Sequence, residues 1–276
     1  MESRLKGCKV AIIGGGNMGR AIIEGLKKQA HDTKDILVIE TDNLKKQDLE
    51  KSYSVVVKSS VDPTIENYDV IIVAVKPQNI GSVFADINPY ISGKQLIISV
   101  AAGITLKFME RYITKTYQIV RTMPNIAARV GKAVCAMCYN EALSDEKRLW
   151  AKQIMESIGT VVELEEKYLD TITGLSGSGP AFVFLMIEAL TDSGVLMGLS
   201  RETALQLALD TVYGSACFLK EYAVHPAIAK EMVTSPGGTA IEGLLTLEEG
   251  GFKALVMNAV RAATEKASLL GRKNDE

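Results

Sequence analysis

The chain has 276 residues, with 31 basic against 33 acidic side chains, a net charge of −2, 47% hydrophobic and 23% charged content, four Cys and two His. That length suits one large domain or two ordinary ones, and it buries enough surface to fold without disulfides or a metal. The near-neutral charge gives no field for nucleic acid or an anionic membrane, and no run nears the roughly 18 apolar residues of a membrane span.

Residues 1–7, Met-Glu-Ser-Arg-Leu-Lys-Gly, hold no apolar stretch. No secretory leader is expected, and a cytoplasmic location follows by default. Lys9-Val-Ala-Ile-Ile13 is the first apolar run, and further runs lie at 36–40, 55–57, 70–75, 96–100, 118–121, 133–139 and 160–163. Helical segments alternate with them. Runs apolar on both sides predict a parallel sheet covered by helices on both faces, so residues 1–164 read as an α/β doubly wound domain.

Gly14-Gly-Gly-Asn-Met-Gly19 follows the first run and opens a helix. Gly14, Gly16 and Gly19 form G-x-G-x-x-G: a tight turn, a close approach to pyrophosphate and close helix–strand packing. The helix start, at Asn17 and Met18, offers free N–H groups to an anion. This makes the domain Rossmann-type and the ligand a dinucleotide. His31 lies in the turn after this helix and reads as a solvated loop residue. Glu40 ends the second strand, where a carboxylate accepts from a ribose diol and repels a 2′-phosphate. With no Arg after it in Thr41-Asp42-Asn43, Glu40 leans toward NADH, although Lys45 and Lys46 stand close by.

The carboxyl ends of later strands should line the same crevice. The fourth brings Ala74, Val75, Lys76 and Pro77, with Lys76 in reach of phosphate or ribose. The fifth brings Ala101, Ala102 and Gly103, small residues where a flat ring could lie. The sixth is followed by Asn125, whose donor and acceptor suit a carboxamide. Cys135-Ala-Met-Cys138 has redox or zinc spacing, but in a strand that spacing sends the two side chains to opposite faces, so buried thiols are expected and no metal.

After Glu163 the period changes. Residues 165–276 read as all helix. The segment 182–197 is apolar nearly all round, and Leu205, Ala208, Leu209, Val212, Ala216 and Leu219 recur at three or four residues. A helix without a polar face must be covered on all sides. A second copy of the chain is the expected cover; burial against the first domain is the alternative. Glu188 and Asp192 lie one turn apart there and could serve as acids, although polar residues near a helix end are the plainer reading. His225 precedes Pro226 between helices and reads as solvated.

Ser235-Pro-Gly-Gly238 also lies between helices, where bare N–H groups can cradle a carboxylate. A plain helix start with Ser235 as N-cap is the alternative.

With these residues in place, the chain resembles the pyrroline-5-carboxylate reductase family over residues 8 to 271. The resemblance rests on Gly14-Gly-Gly-Asn-Met-Gly19, Val75-Lys-Pro77, Val100-Ala-Ala-Gly103, Thr173-Gly-Leu-Ser-Gly-Ser-Gly-Pro180 and Val233-Thr-Ser-Pro-Gly-Gly238. It implies NADPH- or NADH-dependent reduction of the cyclic imine L-1-pyrroline-5-carboxylate to L-proline, with the family habit leaning to NADPH. It implies a helical dimerisation domain that makes a homodimer, in some members a larger ring. It places Ser176 and Ser178 near the nicotinamide, facing the Ser235 loop of the partner chain. It puts Val233, Ser235, Gly237, Gly238, Thr239 and Ala240 around the substrate, with Ser235 and Gly238 on its carboxylate; Ser235 and Thr239 are the candidate reactive-site hydroxyls, with a water as the alternative to Thr239 at the ring nitrogen.

The chain departs from the family pattern Ser-Pro-Gly-Gly-x-Thr, for Ala240 stands where the threonine is expected and Thr239 precedes it. A lost hydrogen bond to a charged group costs about 1.5–3 kcal/mol, or roughly ten- to a hundredfold in rate. Two other readings stay open: a related reductase of another imine or carbonyl acid, and a dinucleotide-binding regulatory protein with little turnover.

Overall fold

The structure, a computed structural model, describes residues 5, 7–113 and 117–275. The leader reading rests in part on residues 1–4 and 6, which lie outside them.

The eight strands are β1 (Val10–Ile13), β2 (Ile36–Ile39), β3 (Val56–Lys58), β4 (Val70–Val73), β5 (Leu96–Ser99), β6 (Gln118–Met123), β7 (Ala133–Tyr139) and β8 (Gly159–Glu163). They form one sheet in the order β3-β2-β1-β4-β5-β6-β7-β8. The helices around it are α1 (Asn17–Lys28), α2 (Asn43–Tyr53), α3 (Ile80–Ile87), α4 (Leu106–Tyr112) and α5 (Asp145–Glu156). Then come α6 (Leu169–Ile172), α7 (Gly179–Leu196), α8 (Arg201–Tyr222), α9 (Pro226–Met232), α10 (Thr239–Glu249) and α11 (Phe252–Asp275).

Strands β1 to β6 are parallel, and the chain reverses its direction of travel across the sheet between β1 and β4. The all-parallel expectation fails at β7, which runs antiparallel to β6. Between them lies only the short 3-10 turn Ile126–Val130. A parallel return needs a crossover of a dozen or more residues, so this connection folds back instead. Helix α5 restores a crossover, and β8 lies parallel to β7.

Alternate residues of each strand feed the two faces. Ile12, Val38, Ile72 and Ile98 pack with Ile22, Leu26 and Ile154 on one face. Ala11, Ile71, Val73 and Ile97 pack with Phe84 and Met109 on the other. Cys135 belongs to the first layer and Cys138 to the second. Burial pushes both thiols up to about 12, so neither is poised for redox or metal chemistry.

The chain divides into two compact units, Met1–Ser178 with Ala262–Glu276, and Gly179–Arg261. Helix α11 begins in the second and ends in the first. The regular elements of the second unit are all helices, and they leave apolar side chains bare: Leu185 is 66% and Leu196 82% exposed. The sequence suggested no membrane-length apolar run. The continuous helical stretch 166–196 is nevertheless long and apolar enough to cross a membrane by length and composition, with a mean hydropathy of 1.4 in its best window.

Candidate functional site

The turn between β1 and α1 assigns a different task to each glycine. Gly14 has φ +107°, and a Cβ on it would lie 2.5 Å from the Ala74 carbonyl oxygen, so the loops after β1 and β4 touch. A Cβ on Gly19 would run into the Gly14 carbonyl. Gly16 differs. Its backbone is extended, at φ −74° and ψ −166°, a conformation open to any residue. No protein atom lies within 4 Å of where its Cβ would be. Nothing in the chain itself requires glycine there. Gly16 is also the N-cap of α1, which has no side-chain cap and no acid in its first turn. The N–H groups at Asn17 and Met18 and the positive end of the helix dipole are thus left for an anion, as a pyrophosphate needs.

Glu40 borders that turn, only 9% exposed. Its Oε2 accepts from Gly15 N–H at 3.0 Å and its Oε1 from Asp42 N–H at 2.9 Å. A side chain on Gly15 would collide with Leu49 of α2 and crowd Glu40 Oε2. Gly15 fell between the motif glycines in the sequence, and only the packing shows its role. Lys45 pairs with Asp42 at 4.0 Å, while Lys46 donates to Ser59 Oγ at 3.3 Å. The N–H of Lys45, ahead of other causes, holds the Asp42 carboxyl below its ordinary range. Arg20 Nε donates to the Gly15 carbonyl at 3.1 Å, and its guanidinium pairs with Asp48.

After β4, Ala74 and Val75 are half-buried, while Lys76 and Pro77 are exposed. After β5, Ala101 is buried, Ala102 half-buried, and Gly103 takes φ +70°. Asn125 uses its amide inside the chain: Oδ1 accepts from Ala127 N–H at 3.2 Å and Nδ2 donates to the Ser176 carbonyl at 3.0 Å. Thr173–Gly177 is a π-helical turn closed by Ser178 N–H to the Thr173 carbonyl at 2.8 Å, a feature frequent at functional sites. Gly177 lets this turn sit on Met123, whose Cε would be 2.6 Å from an added Cβ. Ser176 and Ser178 are half-buried beside it.

Residues 233–240 lie in the second unit. Val233 and Ser235 are exposed. Gly238 N–H donates to the Ser235 carbonyl at 3.0 Å, and a side chain on Gly238 would run into Ser235 Oγ. Gly237 takes φ +66° with open space around it. The N-cap of α10 is Gly238, without a side-chain cap bond, so Ser235 does not cap this helix. Thr239 is its first residue, exposed, and Ala240 its second, half-buried.

Of the two histidines expected to be solvated, His225 is exposed and His31 is not. His225 Nδ1 accepts from Ala227 N–H at 3.2 Å and caps α9. His31 is half-buried, its Nε2 without a partner, and burial lowers its pKa. Of the two acids on α7, Asp192 pairs with Arg201 at 2.9 Å, and Glu188 is exposed.

One group escaped the sequence reading. Arg121 of β6 is 4% exposed. Its NH1 lies 2.9 Å from Glu166 Oε1 and its NH2 3.5 Å from Asp170 Oδ1. Glu166 Oε1 also accepts from Leu106 N–H at 2.8 Å, and Asp170 Oδ2 accepts from Ser268 Oγ at 2.9 Å. A charge inside the apolar run 118–121 was the available signal, for a buried Arg needs partners.

A sheet with this reversal point, and a helix start without a side-chain cap beside it, is the arrangement in which doubly wound domains bind dinucleotides. Residues 9–103 match the family described as NADP oxidoreductase, coenzyme F420-dependent, and residues 166–270 match pyrroline-5-carboxylate reductase dimerisation. The pyrroline-5-carboxylate reductase of Methanosarcina acetivorans is 39% identical over 266 residues, covering 96% of this chain and 98% of its own. That of Aquifex aeolicus is 41% identical over 262 residues, covering 95% and 97%. The solved reductase of Coxiella burnetii superposes with a TM-score of 0.90 at 34% identity, covering 95% of this chain and 98% of that one. The Plasmodium falciparum enzyme with NADP bound gives 0.85 at 33% identity, covering 96% and 98%. The chain belongs to the pyrroline-5-carboxylate reductase family.

Proposed function

We propose that the chain reduces L-1-pyrroline-5-carboxylate to L-proline, with the first unit holding the cofactor and residues 233–240 holding the substrate carboxylate. The observation that carries this reading is the pair of helix starts left without side-chain caps, α1 behind Gly16 and α10 behind Gly238. Each offers bare N–H groups to an anion, the first to a pyrophosphate and the second to a carboxylate.

The bound dinucleotide supplies a hydride. The chain's own residues bind and orient. Gly16, Asn17, Met18 and Gly19 receive the pyrophosphate, Glu40 the adenine ribose, and Ala101, Ala102, Gly103, Ser176 and Ser178 border the nicotinamide. The loop from Val233 through Gly237 and Gly238 receives the carboxylate with Ser235. A protonated imine carbon is already electrophilic, so placement dominates and no strong general acid is required. Hydride addition at that carbon would give the secondary amine of proline, the nitrogen keeping the proton it arrived with. Thr239, at the first turn of α10, takes the contact to the ring nitrogen that Ala240 cannot make.

The cofactor preferred in this reading is NADH. Two backbone N–H groups fix the Glu40 carboxylate beside the turn, where a 2′-phosphate would meet like charge. The exposed apolar faces of α7, α8 and α11 belong to a homodimer. That assigns the exposed apolar part of the stretch, residues 179–196, to a subunit interface rather than a membrane, consistent with a cytoplasmic protein.

The test is an assay of purified protein with pyrroline-5-carboxylate and each cofactor. Proline formed with NADH oxidised, and a kcat/KM for NADH at least about tenfold above that for NADPH, is expected. Turnover of a different imine only would move the reading to a related reductase. Binding without turnover of any imine would make the protein a regulator. Ala240→Thr should leave kcat within about threefold if Thr239 already supplies the contact, and raise it about tenfold or more if nothing does.

A further inference from the structure

Two segments proposed above to border the nicotinamide, the loop after β5 and the turn carrying Ser176 and Ser178, are far apart in sequence. A single buried side chain joins them. Arg121 reaches Glu166 with one arm of its guanidinium and Asp170 with the other. Glu166 passes the constraint to the loop after β5 by accepting from Leu106 N–H, the first residue of α4. Asp170 lies on α6, which runs directly into the π-helical turn Thr173–Gly177. Its second oxygen is tied to Ser268 near the end of α11. That end returns to the same loop, for a Cβ on Gly271 would lie 3.8 Å from the Gly103 carbonyl.

Stability alone does not call for this arrangement. Burying a guanidinium and pairing it is often no better than packing apolar groups of the same volume. What a planar fork adds is direction, because two donors at a fixed angle locate two carboxylates relative to each other. Register on the sheet adds to this: Arg121 sits opposite Ser99 of β5, and Ser99 Oγ accepts from Ala101 N–H at 3.3 Å.

We infer that Arg121 is a positioning residue for hydride transfer, holding the residue 101–103 loop and the Ser176–Ser178 turn in one geometry without touching cofactor or substrate. The inference rests on the reading of those two segments as the nicotinamide border.

The test compares Arg121→Lys, Glu166→Gln and Ser268→Ala with the wild type, as folded oligomers, by dinucleotide affinity and steady-state kinetics. A lysine carries its three donors on one nitrogen at the end of a flexible stem, so it cannot fix the two carboxylates at the separation and angle a planar guanidinium sets. Arg121→Lys should lower kcat by about tenfold or more at saturating substrates, as a misplacement of the order of 1 Å does, with KM for the imine within about threefold. Using deuterated NADH, its primary isotope effect should rise, since the hydride step slows. Glu166→Gln should fall between Arg121→Lys and the wild type, and Ser268→Ala should lose about two- to threefold. A purely structural role would cut the yield of folded protein and leave kcat per folded oligomer unchanged. Should Arg121→Lys fail to fold, Glu166→Gln decides. Folded Arg121→Lys or, in its place, Glu166→Gln with kcat and isotope effect within twofold of wild type would overturn the inference. Wild-type protein that bound no dinucleotide would sink the reading of the site and this inference with it; wild-type binding with unaltered variants sinks the inference alone.

Discussion

In the first unit Ile12, Ile72, Ile98 and Phe84 are 0% exposed, whereas in the second Leu196 is 82%, Met197 80% and Tyr213 71% exposed. Both regions are rich in apolar residues, and both follow their local periodicity. The difference lies in what one chain can cover. A sheet with helices on both faces closes its core within a single chain. A few helices apolar on every side cannot, and among the described residues of the second unit only Thr191, Ala204 and Ala208 are buried. The first unit therefore closes its own core, while the second carries surface fit for association. Its match to a dimerisation family accords with that.

The comparison breaks most sharply if a charge is placed on an equally bare apolar residue in each region. Leu185 on α7 is 66% exposed and Leu44 on α2 is 79% exposed. In isolation the two should tolerate Glu alike, within about 0.5 kcal/mol. If the second unit is covered by a second copy, Leu185→Glu removes about 1.5–3 kcal/mol of apolar burial per chain and leaves a charge to bury as well. Leu185→Glu should convert the oligomer to single chains and cut imine reduction by about a hundredfold or more, while Leu44→Glu changes neither. Light scattering after gel filtration reads the mass. An unchanged mass for Leu185→Glu would remove that face from the interface.

Within the first unit, two glycines of the same turn sharpen the contrast between folding and binding. Gly14→Ala forces a side chain into φ +107° and against the Ala74 carbonyl at 2.5 Å, so stability should fall by about 1–3 kcal/mol or more. Gly16→Leu meets open space and an ordinary backbone angle. Its melting temperature should stay within about 2 °C, while its dinucleotide Kd rises by about a hundredfold or more, as a pyrophosphate loses its approach. Differential scanning fluorimetry and calorimetric titration separate the two outcomes. Cofactor binding unchanged in Gly16→Leu would refute the phosphate turn.

How legible each part was in the sequence follows from the range of the forces involved. All eight strands appear as short apolar runs; burial on two faces explains β1, β2, β4 and β5, whose every residue is buried, whereas the edge strands β3 and β8 are partly exposed. The direction of β7 does not appear, because an apolar run reads the same in either direction; only the brevity of the connection from Met123 to Ala133 carried a hint. The glycine turn was legible, since its residues are local. The Gly15 contact with Leu49 and Glu40 was not, since those partners come from other elements. Arg121 announces a buried charge, but Glu166 and Asp170 lie in a later segment with many other carboxylates nearby. The start of α10 shows the opposite case: Ser235 looked able to cap a helix, and the backbone instead begins the helix three residues later at Gly238.

The smallest effect tests whether the self-sufficient core of the first unit is sound at every edge. His31 follows α1, and its N–H donates to the Leu26 carbonyl at 3.1 Å. Burial lowers its pKa from the ordinary 6.5, with Asp35 and Asp32 opposing, and its buried Nε2 finds no partner. A histidine with a depressed folded pKa binds its proton more readily when unfolded. The stability it permits is therefore complete above about pH 6.5 and is lost as pH falls from that value toward the lowered folded one. Below that window the loss stops growing. Because the ring is only half-buried, the proton uptake on unfolding should be a fraction of one. His31→Gln removes this titration, so between pH 7 and 5 its melting temperature should drop by about 1–3 °C less than that of the wild type. Parallel curves for the two proteins would mean that His31 is solvated after all, and that the core of the first unit has no acid-sensitive edge at this turn.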